Sequence, residues 1–268
     1  MGLGRMIGRL GYVLARGRKH TAEVNLNLCF PEWPQNQRRT LLREHFLSLG
    51  MGLMETATAW LRKPDSYEHR FHIEGIEYLR EAAREGKGVI LIGFHFTTMD
   101  ICAAVLSTQI GMGAMYRKNK NPVLDYIMKK GRNKNLTGVI EREDIKGVIK
   151  FLRNGGIIWY GPDQDYGRKH SIFAPFFGVN AATIQATSRL ARISASKVVV
   201  FTHYRQPGNN SYVVRLSPPL ENYPGDNMEG DARTINELAE NAIMEYPEQY
   251  WWIHRRFKTR PAGESRPY

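Results

Sequence analysis

The chain is poor in cysteine, with only Cys29 and Cys102 among its 268 residues. Two thiols do not make a disulfide framework, which excludes the small disulfide-rich secreted domains and favours a reducing compartment, most simply the cytoplasm. Cys102 lies in an apolar, helix-like stretch, so we expect a buried thiol there. The sequence also lacks any histidine, cysteine and carboxylate cluster with the spacing of metal ligands. We therefore expect neither a metal nor another cofactor.

Long hydrophobic runs are absent too. No stretch approaches the roughly 18 consecutive apolar residues of a membrane span, and no signal peptide pattern is visible. Residues 1–16 instead place apolar side chains on a helical period that arginines interrupt. This pattern is typical of a basic amphipathic helix on a membrane surface. A helix packed on the rest of the protein is the alternative, because its glycines weaken it. We predict an N-terminal basic amphipathic arm over 1–34 and a catalytic domain over 35–268.

Acidic residues are scarce relative to basic ones. The chain has 26 Asp and Glu against 38 Lys and Arg, a formal net charge of +12. Such an excess favours a polyanionic partner, namely nucleic acid, anionic lipid or an acidic protein. Nucleic-acid binding would call for aromatic residues interleaved with Lys and Arg on one strand or groove, or for a helix-turn-helix. Neither pattern is present, so we expect no nucleic-acid partner.

Strand and helix patterns alternate along the middle of the chain. Strands are predicted at 71–73, 88–94, 112–117, 137–141, 156–161 and 198–201, with an alternating edge strand at 211–216. Helices are predicted at 36–61, 76–85, 98–110, 121–134, 143–154, 183–194 and 232–245. This rhythm predicts an α/β fold with a mixed, mostly parallel sheet flanked by helices. Sites in such sheets lie beyond the carboxyl ends of the strands, where His95, Arg117 and Asp163 fall.

A histidine and a carboxylate, His95 and Asp100, directly follow the apolar run 89–92. Five residues of helix would leave the two side chains roughly 140° apart, and an odd spacing on a strand puts them on opposite faces. They can meet only if the chain changes from strand to turn or helix, a change that residues 94–99 favour. A histidine held by a carboxylate is a general-base arrangement. A packed, hydrogen-bonded histidine is the alternative.

Two further segments combine charged and aromatic residues. The apolar strand 156–160 leads into the block PDQDYG at 162–167, then a basic cluster and an aromatic stretch at 173–178. A turn with Asx caps and a packed aromatic loop is the structural alternative. Near the end of the chain, residues 247–261 read PEQYWWIHRRFKTRP.

Together these segments make the chain similar to a known family. The His95-x4-Asp100 box, MYR at 115–117 with NP at 121–122, PDQDYG and the segment 247–261 resemble the late acyltransferases of lipid A biosynthesis, the lauroyl and palmitoleoyl transferases acting on Kdo-bearing lipid IVA. The order and separation of the segments agree over nearly the whole chain. Many family members carry Glu at the position of Asp100. Family members also usually begin with one membrane-spanning helix, which is either truncated here or replaced by surface contacts.

The resemblance implies a glycerolipid-acyltransferase-like fold and an enzyme at the cytoplasmic face of the cell inner membrane. The implied reaction moves a fatty acyl chain from acyl carrier protein to a hydroxyl group on a hydroxyacyl chain of the lipid A precursor. An alcohol needs a base in the transition state. We expect His95 to be that base and Asp100 to fix its tautomer, as a carboxylate does in a serine-protease triad. The sequence contains no Gly-x-Ser-x-Gly elbow, which fits direct transfer.

The resemblance also implies a substrate site and a membrane contact. Arg117 and Arg132 are candidates for binding phosphate or carboxylate groups of the headgroup. Four more residues are expected near the substrate, either orienting the arginines or contacting sugar hydroxyls: Asp163, Asp165, Arg168 and Lys169. Aromatic rings beside cations are typical of an interface with anionic lipid, and the residues expected there are Trp251, Trp252, Arg255, Arg256 and Lys258. The residues expected to line an acyl tunnel are Phe173, Phe176 and Phe177.

Two other functions remain open on the sequence alone. A glycerol-phosphate or lysophospholipid acyltransferase shares the His-x4-Asp chemistry, but such families carry a Glu-Gly-Thr-Arg-like third block where this chain has PDQD at 162–165. A catalytically inactive homologue that serves as a scaffold is the second alternative. The intact His95 and Asp100 favour an enzyme over that scaffold.

Overall fold

The computed structural model describes residues 2–208 and 210–268 and has an α/β fold. The helices α1 to α9 span Gly2–Leu14, Arg16–Cys29, Gln35–Leu61, Ile76–Arg84, Met99–Gln109, Pro122–Asn133, Ile145–Arg153, Ala186–Ser194 and Met228–Glu245. The strands β1 to β9 span Phe71–Glu74, Val89–Gly93, Gly113–Tyr116, Gly138–Glu141, Ile157–Tyr160, Ser171–Phe176, Val179–Ile184, Lys197–Arg205 and Tyr212–Leu216.

Seven strands form the central sheet, in the order β1-β9-β8-β2-β5-β3-β4. All neighbouring pairs are parallel except β8 and β9, which are antiparallel. The predicted mixed, mostly parallel sheet flanked by helices is therefore confirmed. The prediction of an edge strand at 211–216 is wrong, because β1 pairs along the outer side of β9. Alternation along a strand reports its two faces and carries no information about which strand pairs with its free edge.

The central strand β2 explains why the sheet is buried on both sides. All five of its residues are buried, and Leu91 is in register with Trp159 of β5 and Val199 of β8. A continuous apolar run of this kind is typical of a parallel strand covered by helices on both faces. Helices α4 and α5 cover one face, while α7, α8 and α9 contribute to the hydrophobic cluster on the other.

A two-stranded antiparallel hairpin, β6 and β7, stands apart from this sheet and packs on α9. The sequence reading predicted an aromatic loop here and began a helix at residue 183, where the structure has the end of β7. Phe177 and Gly178 form the turn, with φ angles of 48° and 75°. Such a turn needs two residues in the left-handed region and usually has the sequence Asn-Gly. Here Phe takes the place of Asn, so the sequence does not indicate the turn.

The N-terminal helices pack on the long helix α3 and the C-terminal segment. Gly8 and Gly50 let α1 and α3 approach closely, since a Cβ atom at either position would clash with backbone of the other helix. In α2, the amide of Asn25 donates to the carbonyl oxygens of Trp252 and His254, at 2.6 and 2.7 Å. The division of the chain at residue 34 stays a prediction. Among the residues that the structure describes, no helix is long and apolar enough to cross a membrane.

Candidate active site

His95 and Asp163 form a hydrogen-bonded pair at the carboxyl edge of the sheet. His95 follows β2 and Asp163 follows β5, and because these strands are parallel neighbours their ends bring the two residues together. Nδ1 of His95 lies 2.6 Å from Oδ1 of Asp163, and the backbone N–H of His95 donates to Oδ2 at 2.9 Å. The carboxylate accepts both bonds, so Nδ1 carries the proton and Nε2 keeps a free lone pair.

The electrostatics of this pair keep Asp163 ionised. Burial alone raises the pKa of the Asp163 carboxyl, whose side chain is only 1% exposed. The positive charge that His95 carries when its ring is protonated, and the hydrogen bonds from its ring and backbone, outweigh burial and leave the pKa below its ordinary value. A buried carboxylate that stays ionised beside an imidazole stabilises the imidazolium that forms when the ring takes a proton.

Asp100 contacts Arg132 and Trp60 and not His95. It lies in the first turn of α5, where Oδ1 accepts from Nε of Arg132 at 2.8 Å and from the indole N–H of Trp60 at 3.4 Å. The prediction that Asp100 holds the tautomer of His95 is therefore wrong, because Asp163 occupies Nδ1. The chain does turn into a helix between His95 and Asp100, but that turn directs the carboxylate towards α6. A catalytic role for Asp100 stays a prediction.

The loop that carries His95 is braced by the C-terminal segment. The backbone N–H of Thr97 donates to the carbonyl oxygen of Gln249 at 2.8 Å, and the N–H of Trp251 donates to the carbonyl oxygen of His95 at 2.9 Å. Phe96 and Tyr250 form an antiparallel bridge between these two contacts. The segment 249–251 thus pairs with the loop like a short extra strand and fixes the position of His95.

Buried side chains brace the same loop from behind. The hydroxyl of Thr97 lies 2.9 Å from that of Ser48 on α3, and the hydroxyl of Thr98 lies 2.8 Å from Nδ1 of His203 on β8. Arg205, also on β8, forms a buried bidentate pair with Glu55 of α3, with both nitrogen–oxygen distances at 2.6 Å. These contacts come from elements far apart in sequence, so a local reading cannot identify them.

A cavity of about 520 Å³ opens beside the imidazole of His95. Its charged lining is dominated by four arginines: Arg117, Arg132, Arg142 and Arg189. Its apolar lining comes from Met99, Met115, Ile145, Trp159 and Ile184. An apolar cavity with a few convergent polar groups, next to a carboxyl group whose pKa is shifted, is the usual form of a small-molecule site.

Comparison with known proteins identifies the family of this chain. A family model described as "Bacterial lipid A biosynthesis acyltransferase" matches residues 2–259. The chain belongs to this acyltransferase family. It is 38% identical to both the lipid A biosynthesis palmitoleoyltransferase and the lipid A biosynthesis lauroyltransferase of Escherichia coli strain K12, over 99% of this chain and 87% of each relative. The lipid A biosynthesis myristoyltransferase of the same strain is 33% identical, over 99% of this chain and 82% of the relative.

In this acyltransferase the predicted headgroup arginines do lie at the cavity. Arg117 follows β3 and Arg132 lies near the end of α6, and both line the cavity. Arg142 and Arg189 were missed. Arg142 follows β4 just as Arg117 follows β3, so the strand-end rule was sufficient to find it. Arg189 lies inside α8, and its sequence context carries no such signal.

The four other predicted substrate residues, Asp163 among them, do not line the cavity. The carboxylate of Asp165 accepts from the backbone N–H and the hydroxyl of Thr259, at 2.8 and 2.9 Å, so it anchors the C-terminal segment. Arg168 donates to the carbonyl oxygen of Arg260 at 2.6 Å, and Lys169 is exposed away from the cavity. The structure thus gives Asp165 and Arg168 contacts with the C-terminal segment and gives Asp163 the contact with His95.

Two of the predicted membrane-interface residues belong to the core. Trp252 is 1% exposed and its indole N–H donates to the carbonyl oxygen of Pro247 at 2.7 Å. Arg256 is 3% exposed and donates to the carbonyl oxygen of Ala182 at 2.7 Å. The membrane prediction is wrong for both, because long-range packing buries them. Trp251, Arg255 and Lys258 are exposed, and their contact with lipid stays a prediction.

The predicted tunnel phenylalanines also lie elsewhere. Phe176 is fully buried in the core, where its ring packs at 4.9 Å from that of Phe177. Neither of them, nor Phe173, lines the cavity. The prediction that these three residues line an acyl tunnel is therefore wrong for this structure. All three lie on the β6–β7 hairpin, which faces α9 and the C-terminal segment.

Proposed function

We propose that this acyltransferase moves a fatty acyl chain from acyl carrier protein to a hydroxyl group on a hydroxyacyl chain of Kdo-bearing lipid IVA, at the cytoplasmic face of the inner membrane. The observation that carries the proposal is the His95–Asp163 pair at the edge of a cavity that is apolar in part and rich in arginine. A thioester donor and an alcohol acceptor need a base, a place for an acyl chain and a place for an anionic headgroup.

The proposed chemistry begins at Nε2 of His95. This nitrogen takes the proton of the acceptor hydroxyl as the hydroxyl oxygen attacks the carbonyl carbon of the acyl thioester. The new C–O bond forms, the C–S bond breaks, and the imidazolium returns the proton to the leaving thiolate. Asp163 holds the Nδ1–H tautomer throughout and stabilises the positive charge on the ring. No covalent intermediate on the protein is required.

The arginines of the cavity suit an anionic acceptor. The guanidinium of Arg132 is already paired with Asp100, whereas Arg117 and Arg189 have no ion pair among the residues that the structure describes. Arg142 pairs with Glu143 at 2.7 Å in a partly exposed contact, which a phosphate or a sugar carboxylate can replace at small cost. Arginine favours such groups because its planar fork binds two oxygens at once.

The overall charge of the chain supports acyl carrier protein as the acyl donor. The net charge of +12 is suited to an acidic carrier protein, because complementary charge accelerates encounter. The relatives' names specify palmitoleoyl, lauroyl and myristoyl groups at 38%, 38% and 33% identity. Identity at this level does not select one acyl length, so the donor chain is left for experiment.

A reconstituted transfer assay tests the proposal. Purified protein in detergent is given Kdo-bearing lipid IVA and acyl carrier protein charged in turn with dodecanoyl, tetradecanoyl, hexadecanoyl or hexadecenoyl chains. Mass spectrometry of the lipid reports the added acyl group. We expect product with at least one donor and none with His95→Ala, while His72→Ala, at an exposed histidine of β1, keeps full activity. Turnover by folded His95→Ala protein, or no product from any donor, would contradict the proposal.

A further inference from the structure

Helix α6 carries an unusually apolar exposed face. Val123, Leu124, Tyr126 and Ile127 are 63, 53, 63 and 44% exposed. Single exposed apolar residues are normal on a protein surface, but four of them within one and a half turns of helix are not. The only carboxylate of this helix, Asp125, is turned inward, where it accepts from the backbone N–H of Asn119 at 2.7 Å.

Helix α6 packs on the C-terminal end of α3. Trp60 of α3 packs against Gly131 of α6, and the ammonium group of Lys134 donates to the carbonyl oxygen of Leu61 at 3.2 Å. At this contact α3 exposes Leu61, and about two turns earlier it exposes Leu53, at 76 and 62%. Both helices therefore leave large apolar side chains uncovered.

Helix α1, which packs on the same helix α3, also exposes apolar side chains. It packs on α3 through its glycines, so its larger apolar side chains are left outside. Those side chains are 53 to 74% exposed: Leu3, Met6, Leu10, Val13 and Leu14. We call α1, the exposed leucines of α3 and the outer face of α6 the three-helix surface.

The charges around the three-helix surface are positive. Lys118 and Lys120 precede α6, Lys130 lies on it, and Arg5 and Arg9 lie on α1, all of them exposed. Apolar side chains beside lysine and arginine are the pattern of a helix that lies in the interface of an anionic bilayer. Each cation near such a surface adds to the attraction, and the long side chains reach the headgroups while their stems stay in contact with apolar groups.

We propose that the three-helix surface binds an anionic phospholipid bilayer and that α6 is inserted into the headgroup region beside the cavity. A surface that binds an acidic protein is expected to carry charged groups at its centre. The centre of this surface is apolar, so a bilayer is the partner that it fits better. The same helix carries Arg132, which lines the cavity. Insertion of α6 therefore places the cavity mouth at headgroup level, where a lipid substrate enters without leaving the membrane.

A fluorescent reporter on α6 tests this proposal without any substrate. Both native cysteines are buried, and burial raises the pKa of their thiols, so an environment-sensitive dye can be attached to the added cysteine of Val123→Cys. Ile193→Cys is the matched control. Ile193 is 51% exposed near the end of α8, just before β8 begins, and so lies at the opposite end of the sheet from the cavity.

The labelled proteins are mixed with vesicles of phosphatidylcholine alone or with phosphatidylglycerol added. We expect the dye at position 123 to shift to the blue with the anionic vesicles and to be quenched by lipids spin-labelled on the acyl chain. The dye at position 193 should do neither. Because the reporter is local, binding through α1 alone would leave position 123 unchanged and would overturn the role of α6.

A partition measurement provides the second test. Val123→Ser combined with Ile127→Ser should weaken binding to the anionic vesicles by about tenfold. The reason is that two aliphatic side chains, each about half buried in the bilayer on binding, are lost. The control pair is Ile193→Ser with Met244→Ser, both at exposed apolar positions outside the three-helix surface. Circular dichroism establishes that all variants are folded. Unchanged partition of the α6 pair, with loss of its retention on immobilised acidic carrier protein, would assign the surface to a protein partner and overturn the proposal.

Discussion

Asp163 holds His95 through both of its carboxylate oxygens, one on the ring nitrogen Nδ1 and one on the backbone N–H. This double contact fixes the ring orientation and the position of the strand end together. Asp100, the acid of the His-x4-Asp box, instead orients Arg132, a cationic side chain of the cavity. The two carboxylates therefore have separate contacts, one with the histidine and one with an arginine of the cavity.

Asp163→Asn should abolish most of the activity. An amide has only one acceptor oxygen, so either the backbone N–H or the ring N–H of His95 faces its NH₂ group. If the ring does so, the proton moves to Nε2 and the base is lost. We expect kcat to fall by about 10²- to 10⁴-fold, as for the orienting carboxylate of a catalytic triad, measured by steady-state transfer kinetics.

Asp100→Asn is the matched comparison. The amide oxygen still accepts from Nε of Arg132, so His95 keeps its tautomer and the main change is a weaker hold on the arginine. We expect a rise in KM for the acceptor lipid and a smaller loss of kcat than in Asp163→Asn. An equal loss of kcat in the two variants would show that Asp100 acts directly on the reacting groups.

Gly161→Ala tests how closely the ring of His95 is confined. A Cβ atom at position 161 would lie 2.6 Å from Cε1 of His95 and 2.9 Å from Cη2 of Trp159. The imidazole must move away, which strains the 2.6 Å bond to Asp163 but leaves the backbone in place. We expect kcat to fall by about 10- to 100-fold, because a small misplacement of a reacting group is costly. Thermal unfolding should change little.

Gly138→Ala is the control for this substitution. Gly138 lies on β4, and a Cβ atom there would meet nothing within 4 Å. Its kinetics and unfolding should match those of the unmodified protein. Normal turnover by Gly161→Ala would mean that the ring tolerates displacement and that its present position is not the reactive one.

The sequence was sufficient to predict the layers of the fold and the edge at which the site lies. Buried runs such as 88–94 and helical periods such as 98–110 are local signals, and both elements formed within two residues of the prediction. The strand-end rule also placed His95, Arg117 and Asp163 on one rim. What it lacked was the strand order. Only the pairing of β2 with β5 makes Asp163 the partner of His95.

The C-terminal segment shows a second limit of local reading. Aromatic rings beside basic residues are typical of a membrane interface, yet Trp252 and Arg256 are buried by α2, the β6–β7 hairpin and α9. Composition cannot distinguish an aromatic side chain that meets lipid from one that meets a distant helix. The exposed apolar face of α6 was overlooked for the converse reason, since its period is that of any helix packed on a core.

Gln249 should prove necessary for the contact that braces the loop carrying His95. Its amide donates to the carbonyl oxygen of Arg205 at 2.8 Å and accepts from the N–H of Arg205 at 2.9 Å. Gln249→Ala leaves both buried backbone groups unpaired, which costs about 1–3 kcal/mol of the free energy of unfolding per unsatisfied group. It also loosens the strand-like contact with Thr97, so kcat should fall.

Denaturant unfolding and transfer kinetics measure the two effects of Gln249→Ala. Gln109→Ala, at an exposed glutamine at the end of α5, is the control and should change neither. A variant that loses stability but keeps its kcat would mean that the segment 249–251 supports the fold without positioning His95.

Acidification should destabilise the protein through two buried histidines and one partly buried histidine. Burial is the main cause that lowers the pKa of His45 and His254 to about 4 and that of His203 to about 3, from an ordinary value of 6.5. Below pH 6.5 these histidines are therefore protonated in the unfolded chain but remain neutral in the folded protein. The stabilising effect is complete above pH 6.5 and is lost as the pH falls from there towards 4 and 3, by at most about 1.4 kcal/mol per pH unit for each ring.

The variant His203→Asn tests this proton linkage. Its amide keeps a hydrogen bond to the hydroxyl of Thr98 and does not titrate, so the pH dependence of the free energy of unfolding should shrink by up to one proton between about pH 6.5 and pH 4. Asp163 does not interfere, because its lowered pKa lies below its ordinary value of 3.8 and so below this window. His69→Asn, at an exposed histidine, is the surface control. Denaturant titrations at a series of pH values supply the slopes. Identical slopes for His203→Asn and the unmodified protein would mean that His203 is already protonated in the folded state or that the acid transition is governed by other groups.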